Sequence, residues 1–406
     1  MLEDCFVDNI NYFPSIGYMG SNPSSPVALI EVDEPRRANG VWRLMGRLHC
    51  PNGKTREIFY EFEAPDDRPL PKRLRPFLLA FLPVAMRQGW TLASKETVDE
   101  ETELNLLQWQ ASFAGWRPWS LGNIDWEIPL APEPDSGSRL GGMVAFSGGV
   151  DSSYTVLRQA AAGNLASGVL VHGMDIGVDD QAAFARARAD AAVTLESMGL
   201  RPLWVRTNVR SLGRDPFLHW GEETFGIWLA SALSCLEPWH TRVFIASSYP
   251  YRHLQLACGS NPVTDRFLGS SLVPYVHDGA ELSRVEKAAA LAAEPRLSRR
   301  LRVCFSREGA GANCGVCRKC MLTQLCLWLG GDEHPAAFPQ ACRLEDIRSI
   351  PLPPEIRRYY MPPLRKLAQE RGRDDVLAVL DQLGGNVPLR QRVAPALWEF
   401  IRRVQR

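Results

Sequence analysis

The sequence lacks three features that would place a protein in a special class at once. Its formal net charge is zero, so it has no overall positive charge of the kind typical of nucleic-acid-binding proteins. Its most apolar helical candidate, residues 76–86, is far shorter than the roughly 20 residues that cross a bilayer. Its acidic beginning, MLEDCFVDNI, lacks the cationic and apolar segments of a secretory signal. We therefore expect a cytoplasmic protein that binds neither membranes nor nucleic acids.

What remains is the composition of an ordinary globular protein. Hydrophobic residues make up 45% of the chain and charged residues 23%. The length of 406 residues is enough for two or three domains, each with a buried core. Composition therefore does not indicate a function, and any prediction of function has to come from short sequence motifs.

The first part of the chain, residues 1–130, has the pattern of an α+β domain. Strands are predicted at 27–34, 41–50 and 55–64, and helices at about 72–88 and 103–113. The sequence Pro51-Asn52-Gly53 predicts a hairpin between the last two strands. The tryptophans of this domain are expected in its core: Trp109, Trp116, Trp119 and Trp126.

A different pattern begins after a linker rich in Pro, Gly and Ser at 131–142. Over residues 143–330, apolar strands alternate with helices. Strands are predicted at 143–147, 168–174, 202–208 and 242–248, and helices at 151–161, 179–199 and 222–236. Such β-then-α units predict a parallel sheet covered by helices on both faces. The last region, 331–406, has helical periodicity.

The sequence SGGVDSS, residues 147–153, lies where the first of these strands becomes a helix. It has neither the lysine of a Walker A loop nor the spacing of a GxGxxG motif. Its glycines allow unusual backbone angles, and successive N–H groups at a helix N-terminus can hold an anion. The serine hydroxyls can donate to phosphate oxygens, and Asp151 can bind Mg²⁺. The expected nucleotide-binding residues are Ser147, Gly148, Gly149, Val150, Asp151, Ser152, Ser153 and, after the second strand, Asp175.

The pattern S-G-G-x-D-S between a strand and a helix resembles the PP-loop of the N-type ATP pyrophosphatases. The resemblance implies a Rossmann-like fold of the adenine nucleotide alpha hydrolase type. It also implies that ATP is cleaved between its α and β phosphates, that AMP is attached to an oxygen of the acceptor, and that nitrogen or sulfur then displaces AMP. ATP and Mg²⁺ are the expected cofactors, and Asp151 and Ser152 are catalytic candidates.

Four of the ten cysteines form a cluster with the spacing C-x9-C-x2-C-x2-C: Cys304, Cys314, Cys317 and Cys320. In a reducing compartment such a cluster indicates a metal site rather than disulfides. Four thiolates suit Zn²⁺ or, alternatively, an iron–sulfur cluster. They leave no open coordination position, so a zinc ion here would be structural.

A basic run borders this cluster: Arg296, Arg299, Arg300, Arg302 and Arg307. One interpretation is a charged face that only meets solvent. The other is a surface that contacts phosphates or an acidic partner. Both interpretations stay open at the level of the sequence.

Together, the loop and the cysteine pattern resemble the QueC family of 7-cyano-7-deazaguanine synthases over about residues 140–330. That family adenylates 7-carboxy-7-deazaguanine, and ammonia converts the product to an amide, which a second ATP dehydrates to a nitrile. The segment LSRVEKAAAL, residues 282–291, is similar to the family's T-K-x-E-I segment. The resemblance makes Arg284 or Lys287 a catalytic candidate that neutralises leaving pyrophosphate. The alternative is a surface helix with a charge pair three residues apart.

The resemblance implies an ATP-dependent, AMP-forming carbon–nitrogen ligase. Its expected partners are a small-molecule or protein carboxylate as acceptor and ammonia or another amine as donor, and a homodimer is compatible with the sequence. QueC-like proteins also occur in bacterial antiphage operons, which adds a role in defence or modification to the expectations. Other polar residues are expected to shape the acceptor pocket: Asn208, His219, Glu222, Ser247, Ser248, Ser260, Asn261 and Asp265.

Two further functions stay open. A sulfur transferase acting on tRNA would need a reactive cysteine near the adenylate or an iron–sulfur cluster, and Cys258 is the cysteine that suits this role. The other function is that of a nucleotide-binding scaffold without catalysis. A scaffold would be free to lose Asp151, which this sequence keeps.

Overall fold

The computed structural model of the chain describes residues 25–118, 120–133, 137–304, 312–348, 350 and 352–383. Over these residues the protein is an α/β fold built on one mixed sheet of eleven strands. The strands are β1 (Val27–Val32), β2 (Arg36–Ala38), β3 (Val41–His49), β4 (Thr55–Glu63), β5 (Thr91–Ser94), β6 (Trp126–Glu127), β7 (Gly142–Ala145), β8 (Leu165–His172), β9 (Arg201–Thr207), β10 (Val243–Ala246) and β11 (Tyr275–Asp278).

The same part of the chain contains eleven α-helices. They are α1 (Arg75–Gln88), α2 (Glu100–Trp116), α3 (Val150–Ala161), α4 (Gln181–Ser197), α5 (Phe225–Leu233), α6 (Arg284–Leu291), α7 (Pro295–Ser298), α8 (Arg318–Gly330), α9 (Leu344–Arg348), α10 (Pro354–Glu370) and α11 (Asp374–Leu383). None of these described helices is both long and apolar enough to cross a membrane. Trp109 is fully buried, as predicted, and Trp116 and Trp126 pack against the same core, whereas Trp119 lies outside the described residues.

The strands lie in the order β11-β10-β7-β8-β9-β4-β3-β1-β5-β6, and β2 pairs with β3. We call β7 to β11 the parallel half and β1 to β6 the N-terminal half. The two halves join where β4 pairs antiparallel with β9, with Tyr60 opposite Thr207 and Phe62 opposite Val205. One sheet thus contains strands from both sides of the predicted linker. The domain boundaries expected from the sequence stay a prediction.

Buried side chains alternate between two faces in the parallel half. On β7, Met143 packs into one core cluster and the next residue, Val144, into the other. Val243 and Phe244 repeat this alternation on β10. Helix α5 covers the first face, and α3 and α4 cover the second. Strands buried on both faces explain why the sequence of this half shows apolar runs rather than strict alternation.

The N-terminal half buries only one face of the sheet. Helix α1 lies on that face, where Phe77 packs so closely on Gly46 that a Cβ atom there would meet the ring at 2.2 Å. The other face carries charged pairs, among them Arg47, whose Nη1 is 2.8 Å from Oδ1 of Asp33. Alternating buried and exposed residues along β1 follow from this one-sided cover.

A buried ion cluster ties α1 to the parallel half. Nε of Arg75 donates to Oε2 of Glu237 at 3.0 Å, and Nη2 of Arg73 donates to the same oxygen at 3.2 Å. The hydroxyl of Tyr275, on β11, donates to Oε1 of Glu237 at 2.9 Å. The side chains of Arg75 and Glu237 are 1% and 0% exposed. Loss of one partner would leave an uncompensated buried charge, so this cluster holds the two halves in one fixed arrangement.

Short polar side chains mark where three helices begin. Asp99 accepts a hydrogen bond from the third residue of α2, and Asp180 from the third residue of α4. Ser283 and Glu286 form a complete capping box at the start of α6. The capping box fixes the direction in which α6 enters the structure, and α6 carries two of the predicted site residues.

The predicted helix at 222–236 is divided into three segments. A π-helical turn (Trp220–Thr224) precedes α5, and a 3₁₀-helix (Ser234–Trp239) follows it. The division has a tertiary cause: the carbonyl of Gly259, from a distant loop, accepts the N–H of Gly226 at 2.8 Å. Strands β2, β5, β6 and β11 were also not predicted, because two to four residues carry too little periodicity.

Candidate functional site

The strand order reverses in the middle of the parallel half. Counted from β7, its five strands lie in the order 5-4-1-2-3, so the reversal falls between β7 and β10. In doubly wound sheets a ligand binds at the carboxyl ends of such strands, because the loops diverge there and leave a crevice. A cavity of about 740 Å³ opens at this edge. The loops after β7, β8 and β10 form its walls, together with residues of α6, α8 and α10.

The sequence SGGVDSS forms the loop between β7 and α3. Gly148 has a φ of 73°, a left-handed conformation that residues other than glycine rarely adopt. Oγ of Ser152 donates to the carbonyl of Gly149 at 3.2 Å and lies 3.2 Å from Oγ of Ser147, which closes the loop on itself. Helix α3 begins at Val150, in the cavity wall. The N–H groups of Ser147 and Gly149 donate to the hydroxyls of Ser152 and Ser147, each at 3.3 Å. What the loop offers an anion is therefore mainly the N-terminus of a twelve-residue helix.

Asp151, in the first turn of α3, lies against two cations of α6. Its carboxylate pairs with Arg284, and its Oδ1 is 3.6 Å from Nζ of Lys287. Lys287 is buried and also donates to the carbonyl of Ser247 at 2.7 Å. Burial lowers the pKa of the Lys287 ammonium, whereas the Asp151 carboxylate raises the pKa of Arg284. Both α6 candidates therefore lie at the 147–153 loop, which we call the phosphate loop after the motif that it resembles. Arg284 lines the cavity, whereas Lys287 is buried outside the cavity wall and does not belong to a surface face.

Positive charge exceeds negative charge around the cavity. The charged residues in its wall are Arg284, Arg302, Arg318, Lys319, Asp151 and Asp175. Four cations thus face two carboxylates. Burial, together with the nearby charge of Arg284, lowers the pKa of Lys319 to about 8. An enclosed wall with this excess of positive charge suits a ligand that carries several negative charges, such as a polyphosphate.

The four clustered cysteines come together beside this cavity. Sγ of Cys304 is 3.8 Å from Sγ of Cys317, and Sγ of Cys314 is 3.9 Å from Sγ of Cys320. All four sulfur atoms lie within 4.8 Å of one another. Four thiolates at these separations could hold a metal ion such as zinc. Cys304 also lines the cavity, so the cysteine cluster and the cavity share a wall.

Aromatic rings form another wall of the cavity. Besides Phe146, which lies between β7 and the phosphate loop, they are Trp220, Phe225, Tyr249, Tyr359 and Tyr360. The ring centroid of Tyr359 is 6.0 Å from that of Tyr249, and its hydroxyl accepts a hydrogen bond from Nε2 of Gln255 at 2.8 Å. Tyr360 lies beside the guanidinium of Arg284, and burial raises its pKa. Helix α10 therefore closes the cavity from the C-terminal region of the chain.

The polar residues predicted from the sequence divide into two groups. Ser248, Ser260 and Asp175 line the cavity with the phosphate loop. Asn208 does not, because its side chain bonds to the main chain of β4 and joins the two halves of the sheet. Ser153 is buried outside the cavity wall. Strand-end position alone thus predicts a polar role but does not separate ligand contacts from structural ones.

Several residues of the cavity wall were not predicted. Arg318 and Lys319 lie between two of the clustered cysteines, and this position was a usable signal, because metal binding fixes the residues that it encloses. Tyr359 and Tyr360 had no such signal. They are about 200 residues from the phosphate loop and reach it only through the packing of α10.

No protein-family model, curated protein or solved structure matches the chain. The resemblance to the PP-loop and QueC families therefore depends on two sequence motifs, the phosphate loop and the cysteine cluster. The function has to be inferred from the residues that surround the cavity.

Proposed function

We propose that this protein is an ATP-dependent, AMP-forming carbon–nitrogen ligase of the QueC-like type. The observation that carries the proposal is the position of the SGGVDSS loop. It lies at the point where the strand order reverses, opposite Arg284 and Lys287. A glycine-rich loop, a helix N-terminus and convergent cations together favour a polyphosphate over other anions.

The proposed reaction has two steps. A carboxylate oxygen of the acceptor attacks the α phosphorus of ATP, the bond to the bridging oxygen breaks, and pyrophosphate leaves. An amine then attacks the acyl carbon, AMP leaves, and the amine gives up a proton. Cations around the loop stabilise the charge that develops on pyrophosphate, in the manner of an oxyanion hole. The phosphate loop and Arg284 take this role at the cavity, and Lys287 adds its charge from behind the wall, where it lies 3.6 Å from Oδ1 of Asp151.

Magnesium would bind together with the nucleotide. Asp151 and Asp175 line the same cavity and supply the hard oxygen ligands that Mg²⁺ prefers. The ion would neutralise phosphate charge next to the loop. In the structure Asp151 is paired with Arg284, so binding of a magnesium–nucleotide complex would exchange that partner for a new one.

Zinc is the metal that we propose for the four cysteines. A tetrahedral site with Zn–S bonds of about 2.3 Å has sulfur–sulfur separations of about 3.8 Å. The observed 3.8 and 3.9 Å agree with one small ion at the centre. An iron–sulfur cluster would place several atoms between the sulfurs and push them further apart. The ion would be structural, because four protein ligands leave no open position.

The aromatic wall indicates the kind of acceptor. Trp220, Tyr249 and Tyr359 offer flat apolar surfaces, and Gln255 and Ser260 supply hydrogen-bonding groups nearby. Such a wall suits a planar heteroaromatic acid better than a flexible aliphatic one. The acceptor 7-carboxy-7-deazaguanine, implied by the resemblance, belongs to this class.

The direct test is to incubate the purified protein with Mg-ATP, with and without 7-carboxy-7-deazaguanine and ammonia, and to resolve nucleotides and bases by mass spectrometry. We expect AMP and pyrophosphate that depend on the acid, with a new amide or nitrile. AMP release without change to that acid would keep the adenylation chemistry and require another acceptor. Bound ATP without any AMP would contradict the proposal and favour a scaffold.

Sulfur transfer is the second candidate, because Cys258 does line the cavity. Its thiol lies 3.4 Å from the carbonyl of Gly221, and burial raises the pKa of the thiol. A thiol with a raised pKa holds little of the reactive thiolate at neutral pH. Replacement of Cys258 by Ser should therefore leave AMP formation intact, whereas a sulfur transferase would lose transfer.

A further inference from the structure

The basic run before the cysteine cluster separates into two kinds of residue. Arg296 pairs with Glu294, and Nε of Arg300 is 4.0 Å from Oδ1 of Asp190, both at exposed positions. Arg307 lies outside the described residues. Arg302 is the member of the described run that lines the cavity. Among these arginines, the interpretation as a phosphate contact therefore applies to Arg302.

Arg302 donates two hydrogen bonds to the phosphate loop. Its main-chain N–H donates to the carbonyl of Gly148 at 2.7 Å, and its Nε donates to the carbonyl of Ser147 at 3.1 Å. The C=O and N–H of a trans peptide point in opposite directions. Arg302 therefore fixes the orientations of the Ser147–Gly148 and Gly148–Gly149 peptides. The N–H of Gly149 donates to Oγ of Ser147 at 3.3 Å, so these bonds together set the shape of the loop beside the cavity.

The rest of the guanidinium remains available. An arginine carries five N–H donors, and the one on Nε is used by the loop. Among the described residues, no side chain accepts a hydrogen bond from the Nη atoms of Arg302. Those atoms belong to a residue in the wall of a cavity with excess positive charge, a few ångströms from the loop.

The same residue is tied to the metal site. Cys304, a proposed ligand, follows Arg302 by two positions. The side chain of Asn313 accepts the N–H groups of Val303 and Cys304 at 2.9 and 3.2 Å. The amide of Asn313 in turn donates to the carbonyl of Leu301 at 2.6 Å. The segment 301–304 is thus clamped next to the ligand Cys314.

We propose that Arg302 binds the polyphosphate of the nucleotide through its Nη atoms while it orients the phosphate loop, and that the metal at the four cysteines holds Arg302 in place. This inference deepens the proposed function and rests on it for the identity of the ligand. In this proposal the metal does more than stabilise the fold, because it also positions the guanidinium of Arg302 for the bound polyphosphate.

The first experiment compares Arg302→Gln with the matched control Arg300→Gln from the same basic run. Isothermal titration would measure binding of Mg-ATP, inorganic pyrophosphate and adenosine. We expect Arg302→Gln to weaken ATP and pyrophosphate by about tenfold or more, because a charge-assisted contact is lost, and to leave adenosine unchanged. Arg300→Gln should change none of them by more than about twofold. Equal affinities for the two variants, or an equal loss for adenosine, would overturn the proposal.

Arg302→Lys separates the two tasks of the side chain. It keeps the positive charge but removes the Nε donor to the loop. We expect pyrophosphate affinity between those of the wild type and Arg302→Gln. A lysine variant as weak as the glutamine variant, with normal circular dichroism and metal content, would contradict a direct charge contact.

Metal removal and the Arg302→Gln substitution, applied separately and together, test whether the metal acts through Arg302. Removal of the metal from the full chain with a chelator should weaken pyrophosphate binding by about tenfold in the wild type and by less than about twofold in Arg302→Gln, because both changes act through one residue. Asn313→Ala should have the effect of chelation while metal content stays normal. Equal losses in both backgrounds would show that the metal does not act through Arg302.

These results stay distinct from the test of the proposed function. A wild-type protein that binds ATP but never releases AMP would refute the ligase proposal and leave the binding role of Arg302 standing. A ligase that releases AMP equally well with Arg302→Gln would refute the inference alone. A wild type that binds neither ATP nor pyrophosphate would refute both.

Discussion

The parallel half and the N-terminal half belong to one sheet but differ in how their strands are connected. In the parallel half, successive strands run the same way, so the loops after β7, β8 and β10 open on one cavity. In the N-terminal half, β3 pairs antiparallel with both β1 and β4, so successive strand ends lie at opposite edges. Every described residue in the cavity wall lies at Ala145 or beyond. The connection of the strands therefore decides where a site can form.

The halves also differ in what surrounds their charges. In the N-terminal half, charged pairs such as Arg47 with Asp33 lie on an open face, where water screens them and each is worth little. In the parallel half, Asp151 lies in the cavity wall between Arg284 and the buried Lys287, with little water to screen them. The same residue types thus give a solvated surface in one half and a cavity with excess positive charge in the other.

The largest effect is expected at the cluster that joins the halves. Glu237→Ala should lower the free energy of unfolding by about 3–5 kcal/mol, because Arg75 would lose its buried partner. Urea unfolding followed by tryptophan fluorescence measures this, and both halves should unfold in one transition. The control Asp33→Ala, on the open face, should cost no more than about 1 kcal/mol. Two separate unfolding transitions in the wild type would show that the halves fold independently, and would contradict the role of this cluster in joining them.

The next effect concerns the edge of the parallel half opposite the cavity. His240 is fully buried there, with Nδ1 at 2.9 Å from the carbonyl of Leu236 and Nε2 at 3.0 Å from Oγ of Ser167. Burial lowers the pKa of His240 from 6.5 to about 4. As the pH falls below 6.5, this histidine becomes protonated in the unfolded chain but stays neutral in the folded chain. The contribution of His240 to the free energy of unfolding is therefore complete above pH 6.5 and decreases as the pH falls toward 4.

We expect this residue to account for a loss of about 3 kcal/mol across that window. His240→Gln should flatten the pH dependence of the unfolding free energy between pH 6.5 and 4. An unchanged slope in His240→Gln would mean that another group is responsible.

The sequence predicted the parallel half well because its chemistry is local. The phosphate loop occupies seven consecutive residues, and the cysteine cluster occupies seventeen, so each motif carries its own geometry. The wall around them could not be predicted in the same way. Tyr359 and Tyr360 reach the loop only through the packing of α10. The basic run included Arg302, but the sequence could not distinguish it from its exposed neighbours, because its position depends on hydrogen bonds to two carbonyls of the loop. The continuous sheet also depends on the pairing of β4 with β9, which no local pattern encodes.

The third effect concerns the charge of Asp151, one of the two carboxylates in the cavity wall. Asp151→Asn should lower AMP formation by about 100-fold or more, because a group that acts on the reacting phosphates is lost. The same variant should bind inorganic pyrophosphate more tightly without magnesium, because a negative charge has left the anion site. Asp190→Asn, near Arg300 on the surface, is the matched control for both assays. Weaker pyrophosphate binding in Asp151→Asn would indicate that Asp151 positions the cations rather than opposing the anion.

The smallest effect separates backbone strain from function by using one glycine from each half. Gly53, in the β3–β4 hairpin, has a φ of 78°, and Gly148, in the phosphate loop, has a φ of 73°. A Cβ atom would meet nothing within 4 Å at Gly53 and only Arg302, at 3.5 Å, at Gly148. Alanine should therefore cost about 1 kcal/mol of stability at either position, through the left-handed backbone.

Only the variant of the loop should change ligand binding. Strain at residue 148 is relieved when the peptide rotates, and this would break the hydrogen bonds from Arg302 to the loop carbonyls and displace both Arg302 and the loop. Mg-ATP affinity should then fall by about fivefold, the equivalent of ~1 kcal/mol, in Gly148→Ala and stay constant in Gly53→Ala. Thermal unfolding and titration of the two variants side by side provide the measurement. Equal affinities with equal losses of stability would show that the loop tolerates rotation of this peptide, and that the nucleotide is held by the surrounding cations alone.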